Sequence, residues 1–381
     1  MTAVLSNPPA YPVMIKGAVL RATGVVSRAV TPTALLTIED LTLDAPGPDE
    51  VLVRIEAAGV CHSDLSVVNG SRPRPLPMLL GHEAAGIVVD CGSGVSDLVP
   101  GQRVVAVFLP RCGDCAGCRT NGRQPCLPGS SANTNGTLFG GAIRLQSGGK
   151  MVRHHLGVSG FATYAVIDRR SLVPVDADVP AQVAAVLGCA MLTGGGAVLN
   201  VERPASGSSV AVVGLGGVGM AALITARALG VTDLVAVDQV PEKLIQARAL
   251  GASRAYSPQD AVAAGVTADL VIEAAGHALA FENAVQITGP GATMVTVGLP
   301  APDARSSVNP LAITADAKRI QGSYLGSAVP SRDIPVFVDL WRSGRLAVEA
   351  LISDSIGLDE LNVAMDRLDR GLAIRQVVVF D

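Results

Sequence analysis

Aromatic side chains are scarce in this sequence: Phe, Tyr and Trp make up 3% of its 381 residues. Since hydrophobic residues still account for 49%, the core must be built mainly from Ala, Val, Leu and Ile. There are 29 basic and 33 acidic side chains, for a formal net charge of −4, and no block rich in Lys or Arg. We therefore expect no nucleic-acid partner, because such binding requires neutralisation of phosphates. The length favours two or three domains.

The sequence also lacks a recognisable leader or membrane anchor. Its beginning, MTAVLSNPPAYPVMIKG, has neither a basic stretch nor a continuous apolar run, so we expect no secretory signal peptide. Two long uncharged runs, 179–201 and 204–226, are interrupted by glycines at 194–196 and 214–219. Such glycines fit turns better than a span of about 20 apolar residues. We expect a cytoplasmic protein with no membrane partner.

The seven cysteines do not resemble the disulfide framework of a secreted protein. Their number is odd and four of them are bunched, which in a cytosolic chain more often indicates metal binding. The cysteines are Cys61, Cys91, Cys112, Cys115, Cys118, Cys126 and Cys189.

The pattern of elements changes near residue 190. Before it, short β-type runs such as VLVRIEAAG and AAGIVVDCG alternate with Gly/Pro turns, which is typical of antiparallel, barrel-like structure. After it, SVAVVG and GGVGMAALITARALG begin a regular strand–helix alternation that predicts a parallel, doubly wound sheet. The end reverts to a mixed pattern closed by the strand QVVVF. The predicted class is α/β: a β-rich domain in two segments, 1–190 and 326–381, encloses a doubly wound domain at 191–325.

A glycine turn follows the first strand of the second domain. It consists of Gly214, Leu215, Gly216, Gly217, Val218 and Gly219. Glycines at this spacing let the backbone approach a pyrophosphate, and the helix that follows supplies N–H donors. Asp238 ends the next strand, where a carboxylate accepts from both ribose hydroxyls of NAD and repels the 2′-phosphate of NADP. An ordinary glycine-rich turn that binds nothing is the alternative, but the strand–turn–helix–strand pattern and Asp238 favour an NAD site. Lys243 is either a second ribose contact or a solvated helix lysine.

Four cysteines have the spacing of a closed metal site: Cys112, Cys115, Cys118 and Cys126. Four thiolates match tetrahedral Zn²⁺ and leave no open position, which indicates a structural zinc. Iron would also accept four cysteines, and a nucleic-acid-binding zinc ribbon is a further alternative. A ribbon normally pairs two CxxC knuckles across a longer gap in basic surroundings, a pattern that this sequence does not show.

A second set of candidate ligands is dispersed along the chain. Cys61, His82 and Cys189 stand in the stretches CHSD, GHE and LGC. Buried cysteines and turn-capping histidines are common, so these residues prove nothing separately. Together, two thiolates and one imidazole would form an open zinc site whose fourth position takes water or substrate. Such a zinc polarises an alcohol oxygen and lowers its pKa, so that hydride can leave from carbon.

The order of these motifs resembles the zinc-containing medium-chain alcohol dehydrogenase family. The resemblance extends over roughly residues 15–381 and rests on the four-cysteine knuckle and on stretches that occur in the family's order. These stretches are GVCHSDLSVVNG, LLGHEAAGIV, VLGCAMLTGGGAV, VVGLGGVGMAA and IRQVVVF. The implied fold is a GroES-like β-barrel catalytic domain with a Rossmann domain, and NAD in the cleft between them.

The resemblance assigns the catalytic site residue by residue. It implies that Ser63 hydrogen-bonds the substrate alcohol, and that Asp64 and Glu83 orient a ligand or stand behind the metal. The implied catalytic zinc ligands are Cys61, His82 and Cys189. The implied structural zinc ligands are Cys112, Cys115, Cys118 and Cys126, which makes two zinc ions per subunit.

The resemblance also assigns the cofactor and substrate contacts. It places His62 and Arg375 at the pyrophosphate and Thr193 beside the nicotinamide. The remaining implied cofactor residues are Gly214, Gly216, Gly217, Val218, Gly219, Asp238, Lys243, Val297 and Leu299. The implied walls of the substrate pocket are Phe108, His155 and Leu299.

The implied reaction is reversible hydride transfer between a primary or secondary alcohol and NAD through a zinc-bound alkoxide. The long segment 127–155 resembles the long-loop branch of the family, whose members are mostly dimers, so we expect a homodimer. Ser66 stands where many relatives have a histidine that carries the alcohol proton outward. We therefore expect the proton to leave without a titrating base at this position.

Two other functions remain open at this point. A thiol-dependent formaldehyde dehydrogenase would have similar zinc sites and loop length, although that branch usually has Thr at the position of Ser63 and an acid at that of Arg72. A protein that kept the fold as a zinc-binding scaffold and lost catalysis is the second alternative. The complete set of ligands and the complete glycine turn favour an enzyme.

Overall fold

The computed structural model describes residues 9–24 and 35–381. The strands of this part are, in chain order, β1 (Val13–Leu20), β2 (Leu36–Leu43), β3 (Glu50–Val60), β4 (Met78–Leu79), β5 (Ala84–Cys91), β6 (Arg103–Ala106), β7 (Leu145–Ser147), β8 (Lys150–His154), β9 (Tyr164–Asp168), β10 (Leu172–Val175), β11 (Val210–Val213), β12 (Leu234–Val237), β13 (Arg254–Tyr256), β14 (Ala268–Glu273), β15 (Thr288–Thr296), β16 (Arg319–Gly322), β17 (Ile352–Ile356) and β18 (Arg375–Val379).

Its α-helices are α1 (His62–Val68), α2 (Leu127–Asn135), α3 (Ala181–Val186), α4 (Gly217–Ala228), α5 (Pro241–Ala249), α6 (Pro258–Ala263), α7 (Ala278–Ile287), α8 (Pro310–Ala315), α9 (Pro330–Arg342) and α10 (Leu361–Asp369). Helix α3 continues into two π-helical segments, Leu187–Gly195 and Ala197–Val201. Short 3₁₀ turns occur at Cys118–Thr120, Arg169–Ser171, Tyr324–Ser327, Val348–Leu351 and Leu358–Glu360.

The first of two compact units is β-rich and is built from separate segments of the chain. It combines the described residues up to Thr120 with Pro125–Cys189 and Ile352–Asp381. Strands β1, β2, β7, β8 and β4 close a small barrel, and a second sheet has the order β10-β6-β5-β3-β18-β17, with β9 paired to β3. The predicted β-structure before residue 190 is confirmed, including VLVRIEAAG in β3 and AAGIVVDC in β5.

The second unit has the predicted doubly wound sheet. It consists of Asn121–Gln124 and Ala190–Leu351, and its six strands are all parallel, in the order β13-β12-β11-β14-β15-β16. After β11 the chain builds β12 and β13 on one side and then moves to β14 on the other. The C-terminal end of β11 is therefore the switch point of the sheet, where open α/β folds bind ligands.

The unit boundary near the C-terminus differs from the prediction. The sequence pattern predicted a return to the β-rich domain at residue 326, whereas residues up to Leu351 pack with the second unit. Helix α9 explains the difference, because Ile334 and Phe337 are fully buried there. A Cβ on Gly195 would lie 2.7 Å from the Phe337 ring. Within the described residues, no helix is both long enough and apolar enough to cross a membrane.

Candidate active site

The three dispersed candidate ligands come together in the first unit. Cys61 lies at the N-cap of α1 directly after β3, His82 lies between β4 and β5, and Cys189 lies in the π-helical segment after α3. Their residues are 6%, 0% and 5% exposed. One ligand atom from each of these residues, and one from Glu83, lie within 4.8 Å of one another. Cys189 Sγ is 3.5 Å from His82 Nε2.

This spacing fits zinc. Zinc binds thiolate sulfur at about 2.3 Å and imidazole nitrogen at about 2.0–2.1 Å, so two such ligands at a tetrahedral angle lie about 3.5 Å apart. The measured distance from Cys189 Sγ to His82 Nε2 agrees with that value. Two thiolates and one imidazole leave a fourth position open, as in catalytic zinc sites. The site can therefore hold a zinc ion that also takes an external oxygen ligand.

Asp64 lies behind His82 and determines which imidazole nitrogen faces the metal position. The carboxylate is fully buried, and its Oδ1 is 3.1 Å from His82 Nδ1. A carboxylate there keeps the proton on Nδ1 and leaves Nε2 free to coordinate. Burial alone would raise the pKa of Asp64, but the neighbouring histidines hold this pKa at about 2. Asp64 thus positions His82.

Glu83 is a second buried carboxylate beside the ligands. It is 0% exposed, and its Oε2 lies 3.5 Å from Arg375 Nη1. Burial raises the pKa of Glu83 to about 7, against the opposing effect of Arg375. A Cβ on Gly59 would lie 2.4 Å from Glu83 Oε1. Only glycine at position 59 leaves room for this carboxylate.

Arg375 was predicted to contact the cofactor pyrophosphate, and the structure adds a contact that the sequence did not suggest. Its side chain is 3% exposed, and Nη1 donates to the carbonyl of Val60 at 3.0 Å in addition to its pairing with Glu83. The buried Nε has no hydrogen-bond partner. The phosphate contact stays a prediction.

The four-cysteine knuckle forms a separate cluster in the same unit. The sulfurs of Cys112, Cys115, Cys118 and Cys126 lie within 4.8 Å of one another. Cys112 Sγ is 3.8 Å from Cys118 Sγ, which equals the edge of a ZnS₄ tetrahedron with bonds of about 2.3 Å. The backbone N–H of Cys118 lies 3.4 Å from the Cys115 sulfur, and together with that of Leu127 it lowers the pKa of this thiol to about 6. All seven cysteines lie in the described ranges and none forms a disulfide.

Helix α1 carries the predicted alcohol-binding residue close to the metal ligands. Ser63, the second residue of the helix, is half-buried, and His62, which directly follows Cys61, is exposed. Ser66 Oγ donates to the carbonyl of His62 at 2.8 Å. Two predicted pocket residues lie against His82: its ring centroid is 5.6 Å from that of Phe108 and 5.4 Å from that of His155.

In the second unit, the glycine turn has the geometry that a pyrophosphate requires. Gly214 has a φ of 88°, and a Cβ on Gly219 would lie 1.8 Å from the carbonyl oxygen of Gly214. A Cβ on Gly216 would meet nothing within 4 Å, so this glycine faces open space. Asp238 accepts from the N–H of Leu215 in the turn at 2.6 Å. The turn and the ribose-binding candidate are therefore adjacent.

Most of the other predicted cofactor residues also lie in the second unit, whereas His62 and Arg375 belong to the first. Thr193 is half-buried in the π-helical segment, Lys243 is half-buried in α5, and Val218 is half-buried in α4. Val297 is 8% exposed just after β15, and Leu299 is 48% exposed. Of the residues predicted to line the substrate pocket, Phe108 and His155 belong to the first unit and Leu299 to the second.

Two family models match the chain in succession. One is described as the alcohol dehydrogenase GroES-like domain and matches residues 47–177, and the other as zinc-binding dehydrogenase and matches residues 217–343. Alcohol dehydrogenase B of Mycobacterium tuberculosis is 34% identical over 353 residues, which cover 90% of this chain and 94% of that protein. The chain belongs to the zinc-containing medium-chain alcohol dehydrogenase family.

Two solved structures have the fold of this dehydrogenase over nearly its whole length. An alcohol dehydrogenase zinc-binding domain protein from Burkholderia ambifaria is 32% identical with a TM-score of 0.89, covering 97% of this chain and 99% of that one. Benzyl alcohol dehydrogenase from Acinetobacter calcoaceticus is 30% identical with a TM-score of 0.88, covering 97% and 100%. The fold predicted for the dehydrogenase, a GroES-like barrel with a Rossmann domain, is confirmed.

Three features of the dehydrogenase's site were not predicted from the sequence. The role of Gly59 could have been found in the sequence, because an isolated glycine in a strand often marks the close approach of another group. The pairing of Glu83 with Arg375, and the contact of His155 with Asp64, join residues far apart in the chain. No local sequence pattern predicts such contacts.

Proposed function

We propose that this dehydrogenase transfers hydride reversibly between a primary or secondary alcohol and NAD, with a catalytic zinc at Cys61, His82 and Cys189. The observation that carries the proposal is the set of three buried ligands whose sulfur–nitrogen spacing equals that of tetrahedral zinc. Zinc in this site would act as a Lewis acid toward the alcohol oxygen, while NAD would accept the hydride. We propose a second, structural zinc at the four-cysteine knuckle.

The protein's own residues would bind, orient and deprotonate the alcohol. Ser63 is half-buried two residues after Cys61, so we assign its hydroxyl to hold the alcohol proton. Asp64 fixes the tautomer of His82. Glu83 and Arg375 pair with each other in the buried region beside the ligands. Since Ser66 donates within its own helix, we propose that the proton leaves without a titrating side chain at that position.

NAD rather than NADP is the proposed cofactor. The support is Asp238, which directly follows β12 and whose carboxylate accepts the N–H of Leu215 in the glycine turn. A fixed negative charge there would attract ribose hydroxyls and repel a 2′-phosphate. We assign the remaining cofactor contacts to His62, Thr193, Lys243 and Arg375, and to the backbone of the glycine turn.

We propose that the substrates are bulky alcohols, of the aromatic, branched or secondary kind, rather than ethanol. Ser63 lacks the methyl group of a threonine, which leaves space beside the metal position. Similarity to a benzyl alcohol dehydrogenase supports the same class. One methyl contact is worth about 1–3 kcal/mol, so the preference should be graded. A steady fall of kcat/KM from ethanol to benzyl alcohol would contradict this assignment.

We also propose a homodimer in the cytoplasm. Strand β16 supports association, because it is the edge of the parallel sheet and all four of its residues are exposed. An exposed edge strand offers unpaired backbone groups to another chain. Light scattering gives the mass in solution, and a fractionated cell extract gives the location.

Thiol-dependent formaldehyde oxidation is the second candidate. Similar zinc sites would serve it, although Ser63 and the half-buried Arg72 stand where that branch usually has Thr and an acid. Formaldehyde assayed with and without a low-molecular-weight thiol separates the two activities. A scaffold without catalysis is disfavoured by the complete ligand set and glycine turn.

The decisive experiment combines metal analysis with alcohol-dependent formation of NADH. We expect two zinc ions per chain, and loss of activity when the Cys61 site is emptied. Cys61→Ser should abolish turnover and retain the knuckle zinc, whereas Cys91→Ser, at a half-buried cysteine outside both clusters, should leave both intact. Turnover that persists without catalytic zinc, or a chain that binds no zinc, would refute the proposal.

A further inference from the structure

A buried carboxylate, that of Glu273, lies at the C-terminal edge of the parallel sheet in the second unit. Glu273 is the last residue of β14 and is paired with Val213, the residue before the glycine turn. It is 1% exposed. Its Oε1 accepts the backbone N–H groups of Ala275 and Gly276, each at 2.8 Å, and its Oε2 accepts the hydroxyl of Thr296 at 2.6 Å. One side chain thus joins the loop after β14 to the end of β15.

The loop held by this carboxylate packs against two segments that were predicted to contact the cofactor. The first is the glycine turn, where a Cβ on Gly214 would lie 2.6 Å from the nitrogen of Ala275. The second is the segment after β15. A Cβ on Gly276 would lie 2.9 Å from the nitrogen of Leu299, and a Cβ on Gly298 would lie 2.3 Å from the nitrogen of Gly276. Because backbone meets backbone at both contacts, a shift of the loop must displace one segment or the other.

The carboxylate also takes over where the pairing of the strand ends. The N–H of Ala274 still donates to the carbonyl of Val213, at 2.8 Å. The next two N–H groups, those of Ala275 and Gly276, donate to Glu273 Oε1 instead. A backbone N–H that loses its acceptor in a partly buried place costs stability, so the loop would rearrange without this side chain.

We propose that Glu273 is a positioning residue for the nicotinamide cofactor: its carboxylate holds the loop that sets the glycine turn and the segment 297–299 in their places for the dinucleotide. The inference rests on the proposed cofactor site. Open parallel sheets bind dinucleotides at this end of their strands. Glu273 acts through the loop and need not touch the cofactor. If the loop left this arrangement part of the time, the apparent affinity for the cofactor would fall in proportion to the population lost.

Two substitutions of Glu273 separate its hydrogen bonds from its volume. Glu273→Met keeps the length of the side chain but removes the acceptor of two N–H groups, and should raise the Kd of NADH by about 10- to 100-fold. Glu273→Gln can still accept both N–H groups with its amide oxygen, and its Kd should stay within about threefold of the natural value.

Substitutions of Thr296 test the other contact and leave the carboxylate in place. Thr296→Val should raise the Kd of NADH by about two- to tenfold, the worth of one hydrogen bond, whereas Thr296→Ser should retain the natural value. Thr288→Val is the matched control. Thr288 is a buried threonine at the other end of the same strand, and its hydroxyl donates to the carbonyl of Ala284 at 2.7 Å. This control should leave the Kd unchanged.

The Kd is measured on the holoenzyme from the fluorescence of bound NADH, without turnover. In steady-state assays the KM for NAD should rise with the Kd while kcat changes less, whereas a loss of folded protein would lower kcat and leave KM unchanged. Hydrogen exchange of the cofactor-free protein reports on the loop itself. The N–H groups of Ala275 and Gly276 should exchange slowly in the natural protein and faster in Glu273→Met.

Thermal unfolding shows which variants are folded. An unchanged Kd of NADH in folded Glu273→Met would overturn the inference, as would a rise in Glu273→Gln as large as in Glu273→Met. If Glu273→Met does not fold, the threonine variants decide, and equal Kd values for Thr296→Val and Thr288→Val would count against the role of Glu273. If the natural protein bound no nicotinamide cofactor although its loop N–H groups were protected, the proposed function would fail instead, so the two failures are distinct.

Discussion

Gly59 shows how one residue without a side chain shapes the metal site. A Cβ there would lie 2.4 Å from Glu83 Oε1 and 2.7 Å from Glu83 Cδ. Gly59→Ala should displace the carboxylate from Arg375 and lower the free energy of unfolding by about 1–3 kcal/mol, the usual cost of overpacking. Thermal unfolding measures the loss of stability, and metal analysis shows whether the zinc content changes. Unchanged stability and zinc content in Gly59→Ala would contradict this role of Gly59.

Asp238 should decide between the two nicotinamide cofactors. Its negative charge repels a 2′-phosphate and offers hydrogen bonds to ribose, together worth about 1–3 kcal/mol. Asp238→Ala should therefore narrow the ratio of kcat/KM for NAD over NADP by about 10- to 100-fold. Glu242→Ala, at an exposed carboxylate in the first turn of α5, should leave the ratio unchanged. Equal use of NAD and NADP by the natural protein would contradict the assignment.

His154 should make stability depend on pH. Burial and, as the smaller cause, the positive charge of Arg144 lower the pKa of this histidine to about 3. Its Nε2 accepts the backbone N–H of Arg144 at 3.1 Å. The unfolded chain takes up the proton below about pH 6.5, while the folded chain does not. Stability contributed by the neutral ring is thus complete above that pH and is lost as pH falls toward 3.

Denaturant unfolding between pH 7 and 4.5 measures this contribution. Two pH units below 6.5 correspond to about 2.7 kcal/mol of lost stability. The His154→Gln variant cannot take up a proton at this position. Its free energy of unfolding should therefore fall by about 2.7 kcal/mol less over this pH range than that of the natural protein. His277→Gln, at an exposed histidine that caps α7, should retain the natural slope. Parallel profiles for the natural protein and His154→Gln would exclude His154 as the source.

At the scale of secondary-structure elements, features that depend on neighbouring residues could be predicted from the sequence. The glycine turn between β11 and α4, and the alternation of strands and helices after it, follow from periodicity and from the glycines themselves. The π-helical course of Leu187–Gly195 was not predicted, because the triple glycine at 194–196 reads as a break in a helix. At least one of these glycines serves close packing instead, because a Cβ on Gly194 would lie 1.9 Å from the carbonyl oxygen of Val218.

Long-range packing was the second feature that could not be predicted from the sequence. The stretch that includes α9 has a mixed sequence pattern, and only the buried Ile334 and Phe337 show that it belongs to the parallel-sheet unit. In the site, likewise, the resemblance supplied the candidate ligands whose ligand atoms cluster in the structure. It did not supply the contact between His155 and Asp64, which depends on the turn that follows β8.

The knuckle between β6 and α2 should hold its metal longer than the other site. Four thiolates close its coordination sphere, and three backbone N–H groups, those of Cys112, Cys115 and Cys118, approach its sulfurs at 3.4–3.5 Å. The other site has three protein ligands and an exchangeable position. EDTA should therefore remove zinc in two phases, with activity lost in the faster one. A single phase, or activity that follows the slower phase, would contradict the assignment of the two sites.

At the scale of the whole molecule, the sheet edge at β16 should carry the association of two chains. Ile320 is 38% exposed on this strand. Ile320→Lys places a charge on the edge, a device that opposes strand pairing, and should shift the protein from dimer to monomer in light scattering. Val336→Lys, at a residue 42% exposed in α9, is the matched control and should remain dimeric. A dimer unaffected by Ile320→Lys would place the interface elsewhere.

The positions of the metal ligands along the chain have a consequence for folding. A metal that joins His82 to Cys189 ties together two points of the backbone as a covalent cross-link would. Closing a loop of about 100 residues removes enough chain entropy from the unfolded state to stabilise a fold by about 4–5 kcal/mol, against about 3 kcal/mol for a loop of about 15 residues such as the knuckle. The proposed exchangeable metal would thus also be the longer of the two cross-links, and a chain that loses it would unfold to a less constrained state.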